Sequence, residues 1–152
     1  MTLDHTDRQI LHLLQENARI SMTELAHAVG LSKTPVTQRV QKLEKSGVIS
    51  AYRAVLSPIQ LGLSHVTYVE VRLTETKEAA LKKFNEAVKA ISEVEECYMI
   101  AGNFDYLLKV RSRDIAHYRE VMGEQISSLP YVSSTSSFVA MEAIVEQSVV
   151  NI

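Results

Sequence analysis

The sequence contains few of the residues that mark disulfide scaffolds, linkers or membrane spans. Its 152 residues include one cysteine, three prolines, five glycines and no tryptophan. The single cysteine, Cys97, cannot form an internal disulfide or supply a cysteine-based zinc site by itself. The low glycine and proline content leaves little room for linkers or low-complexity segments. No apolar run approaches the roughly 20 residues that a membrane-spanning helix needs, so no membrane partner is expected.

The composition is that of an ordinary globular protein. Hydrophobic residues make up 46% of the chain and charged residues 22%, which favours one or two small soluble domains. The first residues are polar and include Asp4 and Asp7, unlike the basic start and apolar middle of a signal peptide. These features predict a cytoplasmic protein.

Basic side chains are concentrated in one segment although the net charge is −2. Between Lys33 and Arg53 there is a single acid, Glu44, against five basic residues: Lys33, Arg39, Lys42, Lys45 and Arg53. Such a density attracts phosphate. A solvated lysine-rich helix face has the same pattern, and charge alone does not separate the two.

Apolar residues in the first 47 positions repeat at helical spacing. A first helix is predicted to end near Glu16. The S-x-x-E motif from Ser21 to Glu24 predicts a capping box that starts a second helix, which ends at Gly30.

A third helix is predicted from the N-cap Ser32, with Pro35 in its first turn, to Gly47. Its buried stripe consists of Val36, Val40 and Leu43, and its opposite face carries Thr34, Gln38, Gln41 and Lys45. The arrangement fits a helix-turn-helix whose third helix enters a DNA major groove. In that interpretation Gln38, Gln41 and Arg39 read bases, while Lys33, Lys42 and Lys45 position the helix. A generic three-helix bundle has the same apolar pattern.

The rest of the chain alternates between strand and helix spacing. Residues Val48 to Leu56 (VISAYRAVL) predict a strand that serves as a hinge. The elements predicted after it are a strand over 66–73, a helix over 77–91, strands over 94–101 and 106–111, a helix over 114–129, and a strand over 132–145. This order is typical of a ferredoxin-like βαββαβ domain, and the whole chain is predicted to be α+β.

Two helices can cover only one face of the predicted sheet. Several strands carry apolar residues on both faces, so the second face is expected to pack against another copy of the chain. The sequence therefore predicts an obligate homo-oligomer. Its predicted divisions are a helix-turn-helix domain over 1–48, a hinge over 49–63, and a ferredoxin-like domain over 64–152 for effector binding and oligomerisation.

Two long segments resemble the Lrp/AsnC, or feast/famine, transcription regulators. They are SMTELAHAVGLSKTPVTQRVQKLEKSGVISAYRAVLSP and EVEECYMIAGNFDYLLKVRSRDIAHYREVMGEQISSLPYV. The resemblance is similarly strong to leucine-responsive and proline-utilisation regulators. It implies an N-terminal winged helix-turn-helix that binds double-stranded DNA and a C-terminal domain that binds an amino acid, leucine or a proline-like one, with no other cofactor. It also implies homodimers assembled into rings that are commonly octamers.

The resemblance assigns DNA contacts to the start of the third helix. The matching residues are Ser32, Lys33, Thr34, Pro35, Thr37, Gln38, Arg39 and Lys42. Many relatives have cysteine where this chain has Val36, and the apolar character of the position is kept.

The family's effector loop matches Ala101, Gly102, Asn103, Phe104, Asp105 and Tyr106. Asn103 lacks the acid that relatives often carry after the glycine, so Asp105 is expected to face the effector's ammonium group. A neighbouring subunit is expected to present hydroxyls from the run Ser133 to Ser137, namely Ser133, Thr135, Ser136 and Ser137. Without the resemblance, Asp105 reads as a turn cap and the serines as an exposed strand.

Enzymatic function is not expected. The five histidines show no metal-ligand spacing, Cys97 has no histidine near it in sequence, and no glycine-rich phosphate loop is present. Glu95 and Glu96 point to opposite faces of a strand and do not form an acid/base pair. An architectural DNA-binding protein without a small-molecule response is the alternative, although the net negative charge argues against purely non-specific binding.

Overall fold

The computed structural model describes residues 2–146, 150 and 152, which form two compact units. The first unit contains residues 2–55 and the described residues of the C-terminal end, and the second is Leu56–Val145. This division differs from the predicted segments 1–48, 49–63 and 64–152, because the hinge is divided and the C-terminal end joins the first unit. There Gln15 Nε2 donates to the Val150 carbonyl at 3.1 Å, and the Val150 amide donates to Gln15 Oε1 at 2.8 Å.

The first unit contains the three predicted helices, α1 (His5–Glu16), α2 (Met22–Ala28) and α3 (Lys33–Lys45). The capping box predicted for α2 is confirmed: the Glu24 amide donates to Ser21 Oγ, and the Ser21 amide donates to the Glu24 carboxylate. A second capping box, between Asp4 and Asp7, starts α1. The motif D-x-x-D was the signal for it. These side chains accept the amide protons that a helix start leaves unpaired.

Left-handed glycines follow both later helices. Gly30 has φ of +70° and Gly47 has φ of +77°, a conformation that other residues adopt only with strain. The turns bring the helices together over buried Ile10, Leu25 and Leu43, and the predicted stripe of Val36, Val40 and Leu43 is buried. The three-helix arrangement is as predicted.

The second unit is the predicted βαββαβ domain. Its elements are β1 (His65–Leu73), α4 (Glu78–Val88), β2 (Val94–Met99), β3 (Tyr106–Ser112), α5 (Ile115–Val121), a π-helical turn (Met122–Ile126) and β4 (Val132–Val139). The strand order is β2-β3-β1-β4, and every pairing is antiparallel. The ferredoxin-like prediction is confirmed. The two predicted helices are shorter than expected, and the second one changes to π-helix from Met122.

Both helices pack on the same face of the sheet. Val69, Val71 and Leu108 from the strands contact Phe84 of α4 and Tyr118 of α5 in one buried cluster. The alternation predicted for β1 is observed, with odd-numbered residues from 67 to 73 buried. Burial of these large apolar side chains is the main contribution to the stability of the unit.

Two strand predictions were wrong. Residues 48–56 form no strand, since no other strand of the described chain lies beside them to complete a ladder. The side chain of Val55 there is 95% exposed. The final strand ends at Val139 and not at Val145, because its last backbone bond, from the Ala140 amide to the Val66 carbonyl, reaches the start of β1. No helix in the described residues is long and apolar enough to cross a membrane.

We expect the helical unit to lose stability on acidification because of its two capping boxes. The hydrogen bond from the Asp7 backbone, followed by that from Arg39, lowers the pKa of Asp4 from 3.8, and hydrogen bonds from Ser21 lower the pKa of Glu24 from 4.5. A lowered folded-state pKa gives stability that is complete above the ordinary value and is lost as the pH falls through the folded-state pKa. The melting temperature, measured by far-ultraviolet circular dichroism, should therefore decrease as the pH is lowered below 4.5.

Glu24→Gln is the variant for this measurement, because glutamine can keep the capping geometry without titrating. Its melting temperature should depend less steeply on pH than that of the parent. The matched control is Glu86→Gln, which changes an exposed carboxylate of α4. Identical pH profiles for the two variants would contradict the expected role of Glu24.

Candidate DNA-binding and effector sites

The polar face predicted for α3 is open to solvent. Burial of Val36, Val40 and Leu43 turns the opposite face of the helix outward. The exposed side chains there are Thr34, Gln38, Gln41, Lys42 and Lys45, and Ser32 and Lys33 are exposed at the helix start. Ser32 caps the helix by its backbone conformation only, since its side chain makes no capping bond. Amide, hydroxyl and ammonium groups are thus presented together, which suits contact with base edges and phosphates.

Three predicted DNA-binding residues, Pro35, Thr37 and Arg39, are half-buried. Thr37 Oγ1 donates to the Lys33 carbonyl at 2.9 Å, so its hydroxyl proton is used within the helix. Thr37 and Gln41 line a cavity of about 360 Å³ beside Tyr52. The sequence alone did not indicate this cavity, since its walls come from all three helices and the segment after them.

Tyr52 contacts the single acid of the basic segment. Its hydroxyl donates to Glu44 Oε1 at 2.9 Å. Burial, followed by the hydrogen bond and charge of Glu44, raises the pKa of Tyr52 to about 12. The phenol is therefore neutral at physiological pH and remains a donor to the Glu44 carboxylate.

Arg39 does not lie on the open polar face. Its Nη1 atom lies 2.6 Å from Asp4 Oδ2 and 2.7 Å from Asp7 Oδ1. The prediction that Arg39 reads bases did not anticipate this, because Asp4 and Asp7 are more than thirty residues away in sequence. Its angular position on the helix, on the flank opposite Thr37, was the available signal.

The predicted effector loop is attached to the end of β1. The Asp105 amide donates to the Val71 carbonyl at 2.9 Å, and Asp105 Oδ2 accepts the Leu73 amide at 2.7 Å. Asp105 is half-buried and Phe104 likewise, whereas the loop residues Ala101, Gly102 and Asn103 are exposed. One carboxylate oxygen of Asp105 thus serves as a turn cap, and the loop backbone lies open beside it.

Tyr106 belongs to the core and not to the exposed loop. It is 2% exposed, and its ring centroid lies 4.3 Å from that of Phe84. Its hydroxyl donates to Asn85 Oδ1 at 2.7 Å. As the first residue of β3, Tyr106 points to the helix-covered face, whereas it was expected beside Asp105 in the loop.

The four predicted hydroxyls of β4 do not form one surface. Ser137 pairs with the Tyr118 hydroxyl at 2.5 Å, and Thr135 Oγ1 donates to Met122 Sδ at 3.9 Å, so both face the helices. Ser136 lies opposite Glu70, on the uncovered face. Ser133 Oγ donates to the Arg72 carbonyl at 3.1 Å, one residue from the amide that Asp105 binds. Strand alternation divides the run, and only Ser133 lies at the loop end of β1.

A groove between α4 and β2 was not predicted. It has a volume of about 500 Å³, and its lining includes Asn85, Lys89, Glu96, Cys97 and Tyr106. Burial raises the pKa of the Cys97 thiol, which disfavours the reactive thiolate. Local sequence patterns did not indicate this groove, since α4 and β2 form it only after packing. No cluster of three metal-ligating side chains occurs in residues 2–146, 150 and 152.

The uncovered face of the sheet combines aromatic and charged residues. Tyr68, Tyr98 and Phe138 are 38%, 56% and 54% exposed, and Tyr68 lies directly opposite Phe138. Lys109 of β3 lies opposite both Tyr68 and Glu96, and its Nζ atom lies 3.4 Å from Glu95 and 3.8 Å from Glu96. Exposed aromatic side chains on one face of a sheet are typical of a protein interface.

Comparison with known proteins gives two family matches. Residues 66–150 match the Lrp/AsnC ligand binding domain, and residues 3–50 match a winged helix-turn-helix DNA-binding family. The chain is 67% identical over 145 residues to the proline dehydrogenase transcriptional activator of Rhodobacter capsulatus, with 95% of this chain and 94% of the relative covered. It is 43% identical over 142 residues to the leucine-responsive regulatory protein of Escherichia coli K12, covering 93% and 87%.

A solved structure shows the same fold over the full chain. It is a transcriptional regulator of Neisseria meningitidis in complex with L-Met, and it is 31% identical. The TM-score is 0.93, and the match covers 99% of this chain and 97% of that one.

Proposed function

Because the chain belongs to the Lrp/AsnC family of transcriptional regulators, we propose specific roles for the residues that its two units expose. Proteins of this family are DNA-binding regulators with an amino-acid-binding domain. The membership of the chain in this family confirms the prediction that it is not an enzyme. The observation that carries the proposal is the open polar face of α3 beside a buried stripe.

In the first unit, α3 enters the major groove of double-stranded DNA. Gln38 and Gln41 donate to and accept from base edges, because a side-chain amide pairs with adenine through two hydrogen bonds. Lys33, Lys42 and Lys45 contact phosphates, while the hydroxyls of Ser32 and Thr34 lie at the helix start where a phosphate is favoured. The protein acts on this DNA in the cytoplasm.

In the second unit, the effector binds at the loop end of β1. The exposed backbone of Gly102 and Asn103 offers amides to a carboxylate, and Asp105 offers its second oxygen to an ammonium group. Ser133 of the same chain lies next to the same strand end, and a neighbouring subunit adds hydroxyls from its own run Ser133 to Ser137. The 67% identity to a proline dehydrogenase activator makes proline the first effector to test, before leucine, and makes a proline dehydrogenase gene the first target.

The uncovered sheet face joins two copies of the chain. Tyr68 and Phe138 of each copy bury their rings against the other, and further contacts assemble dimers into a larger ring, with an octamer as the expected size. The effector changes this assembly or the spacing of the two α3 helices, and DNA must change effector affinity by the same factor. Equal effector affinity with and without DNA would contradict the coupling.

A mobility-shift titration tests the proposed function. The purified chain is titrated on the DNA upstream of its own gene and of a proline dehydrogenase gene, with and without proline, leucine and a mixture of the twenty amino acids. We expect stepped complexes that change with proline. Binding that no amino acid changes would favour an architectural DNA-binding protein, and absence of binding at low salt would contradict the role of α3.

Gln38 and Lys42 should affect DNA binding in different ways. Gln38→Ala should lose on the order of 1–3 kcal/mol of binding free energy on duplexes that carry the base read by Gln38. Its affinity for duplexes changed at that base should equal that of the parent. Lys42→Gln should weaken all sequences and lower the slope of log affinity against log salt by about one. Fluorescence anisotropy on duplexes with single base changes, at several salt concentrations, measures both. Equal losses on all duplexes for Gln38→Ala would contradict base reading.

A further inference from the structure

The guanidinium of Arg39 joins α3 to the first turn of α1. The same Nη1 atom donates to one carboxylate oxygen of Asp4 and to one of Asp7. The Asp7 side chain is 9% exposed and that of Arg39 is 33% exposed, so the bonds lie at the margin of the helical core. Asp4 and Asp7 also cap each other's backbone amides. One cation therefore completes a network that begins with the capping box.

We propose that Arg39 is a positioning residue that fixes the rotation of α3 about its own axis and thereby aims Gln38 and Gln41 at base edges, without contacting DNA itself. The inference rests on the proposed base reading by α3. Lrp/AsnC membership does not by itself assign this role.

Geometry explains why α3 needs such a contact. The buried stripe of Val36, Val40 and Leu43 is apolar, and apolar burial is non-directional. Side chains reach about 5–6 Å from a helix axis, so a rotation of about 10° moves their ends by about 1 Å. A displacement of that size breaks a hydrogen bond to a base edge. Charge-assisted bonds from one guanidinium to two carboxylates are short and directional, and they resist the rotation.

Electrostatics argues against a direct phosphate contact by Arg39. The formal charges of Asp4, Asp7 and Arg39 sum to −1, so the cluster as a whole repels a phosphate. The hydrogen bonds from the Asp7 backbone and from Arg39 hold the pKa of the Asp4 carboxyl below its ordinary value, and the two carboxylates raise the pKa of Arg39. Asp4 and Arg39 are therefore both charged at neutral pH.

Binding measurements on the full chain test the proposal. The DNA probes are a duplex from upstream of its own gene and a scrambled duplex of the same length, and the variants are Asp7→Asn, Arg39→Gln and the double variant. We expect each single variant to weaken specific binding about tenfold, with scrambled binding unchanged within about twofold. The double variant should also lose about tenfold and not a hundredfold, because both changes break one network.

Salt dependence separates positioning from contact. Arg39→Gln should leave the slope of log affinity against log salt unchanged, whereas Lys42→Gln, the matched control, should lower it by about one. A simple charge effect predicts that Asp7→Asn binds DNA more tightly, because it removes a negative charge. Circular dichroism tests whether each variant is folded. If Asp7→Asn does not fold, Asp4→Asn removes the other carboxylate partner of Arg39 and gives the same comparison, since asparagine also caps helices.

Three results would overturn the proposal. In the first, the Asp7→Asn variant binds DNA as tightly as the parent, while Arg39→Gln weakens binding and lowers the slope of log affinity against log salt. Arg39 would then contact DNA directly. The second is a full specific affinity for both folded variants. The third is a parent chain that binds both duplexes equally, in which case the base reading by α3 fails and the positioning role fails with it.

Discussion

Phe138→Glu is expected to convert the assembled protein into monomers. Phe138 lies opposite Tyr68 on the uncovered face of the sheet and is 54% exposed in a single chain. In the proposed dimer each copy places this ring against the other, so one substitution introduces two carboxylates into the interface. Burying a charge without a partner costs several kcal/mol. Dimer affinity should therefore fall by about a hundredfold or more.

Sedimentation velocity at several protein concentrations measures this effect. The matched control is Ile115→Glu, which places the same charge on an exposed apolar position, 52% exposed, of α5. That variant lies on the helix side of the unit and should keep the parent's mass. A Phe138→Glu variant that keeps the parent's mass would show that this face is not the interface, and a parent that is monomeric at all concentrations would show that the chain does not assemble.

Asp105→Asn is expected to weaken effector binding while leaving the fold intact. Asparagine can still accept the Leu73 amide through its side-chain oxygen, as Asp105 Oδ2 does at 2.7 Å. It removes the negative charge that the proposed site offers to an ammonium group. A hydrogen bond to a charged group contributes about 1.5–3 kcal/mol, so effector affinity should fall about tenfold to a hundredfold.

Comparison with Asp105→Ala separates the two roles of this carboxylate. Alanine removes both the loop attachment and the charge, so this variant should lose the effector response and some thermal stability. Isothermal titration with proline and thermal melting measure the two effects. If Asp105→Asn responds as the parent does while Asp105→Ala does not, Asp105 acts only as a turn cap. Glu86→Gln, which changes an exposed carboxylate of α4, is the control that should leave effector affinity unchanged.

Local patterns in the sequence were sufficient for most of the fold. The capping motif from Ser21 to Glu24, the left-handed glycines Gly30 and Gly47, and the alternation in β1 each depend on neighbouring residues. Those interactions act over a few positions, so their spacing can be read directly. The order of strands and helices then restricted the topology to a ferredoxin-like sheet.

Strand ends were less predictable than strand positions. Residues 48–56 have strand-forming side chains but lack a neighbour in the described chain, and β4 ends where β1 begins. A strand exists only where a second strand accepts its hydrogen bonds. Strand propensity alone therefore predicted a strand over 48–56 that does not form, and it placed the end of β4 too far along the chain.

The sequence by itself determined the helix-turn-helix, the polar face of α3 and the location of the loop between β2 and β3, since these follow from short-range spacing and from family motifs. Only the tertiary structure decided that Arg39 binds Asp4 and Asp7, that Asp105 caps the Leu73 amide, and that Tyr106 is a core residue. Each of these contacts joins residues about thirty or more positions apart, or depends on which face of a strand is covered. Sequence spacing does not encode such partners, because packing of separate elements selects them.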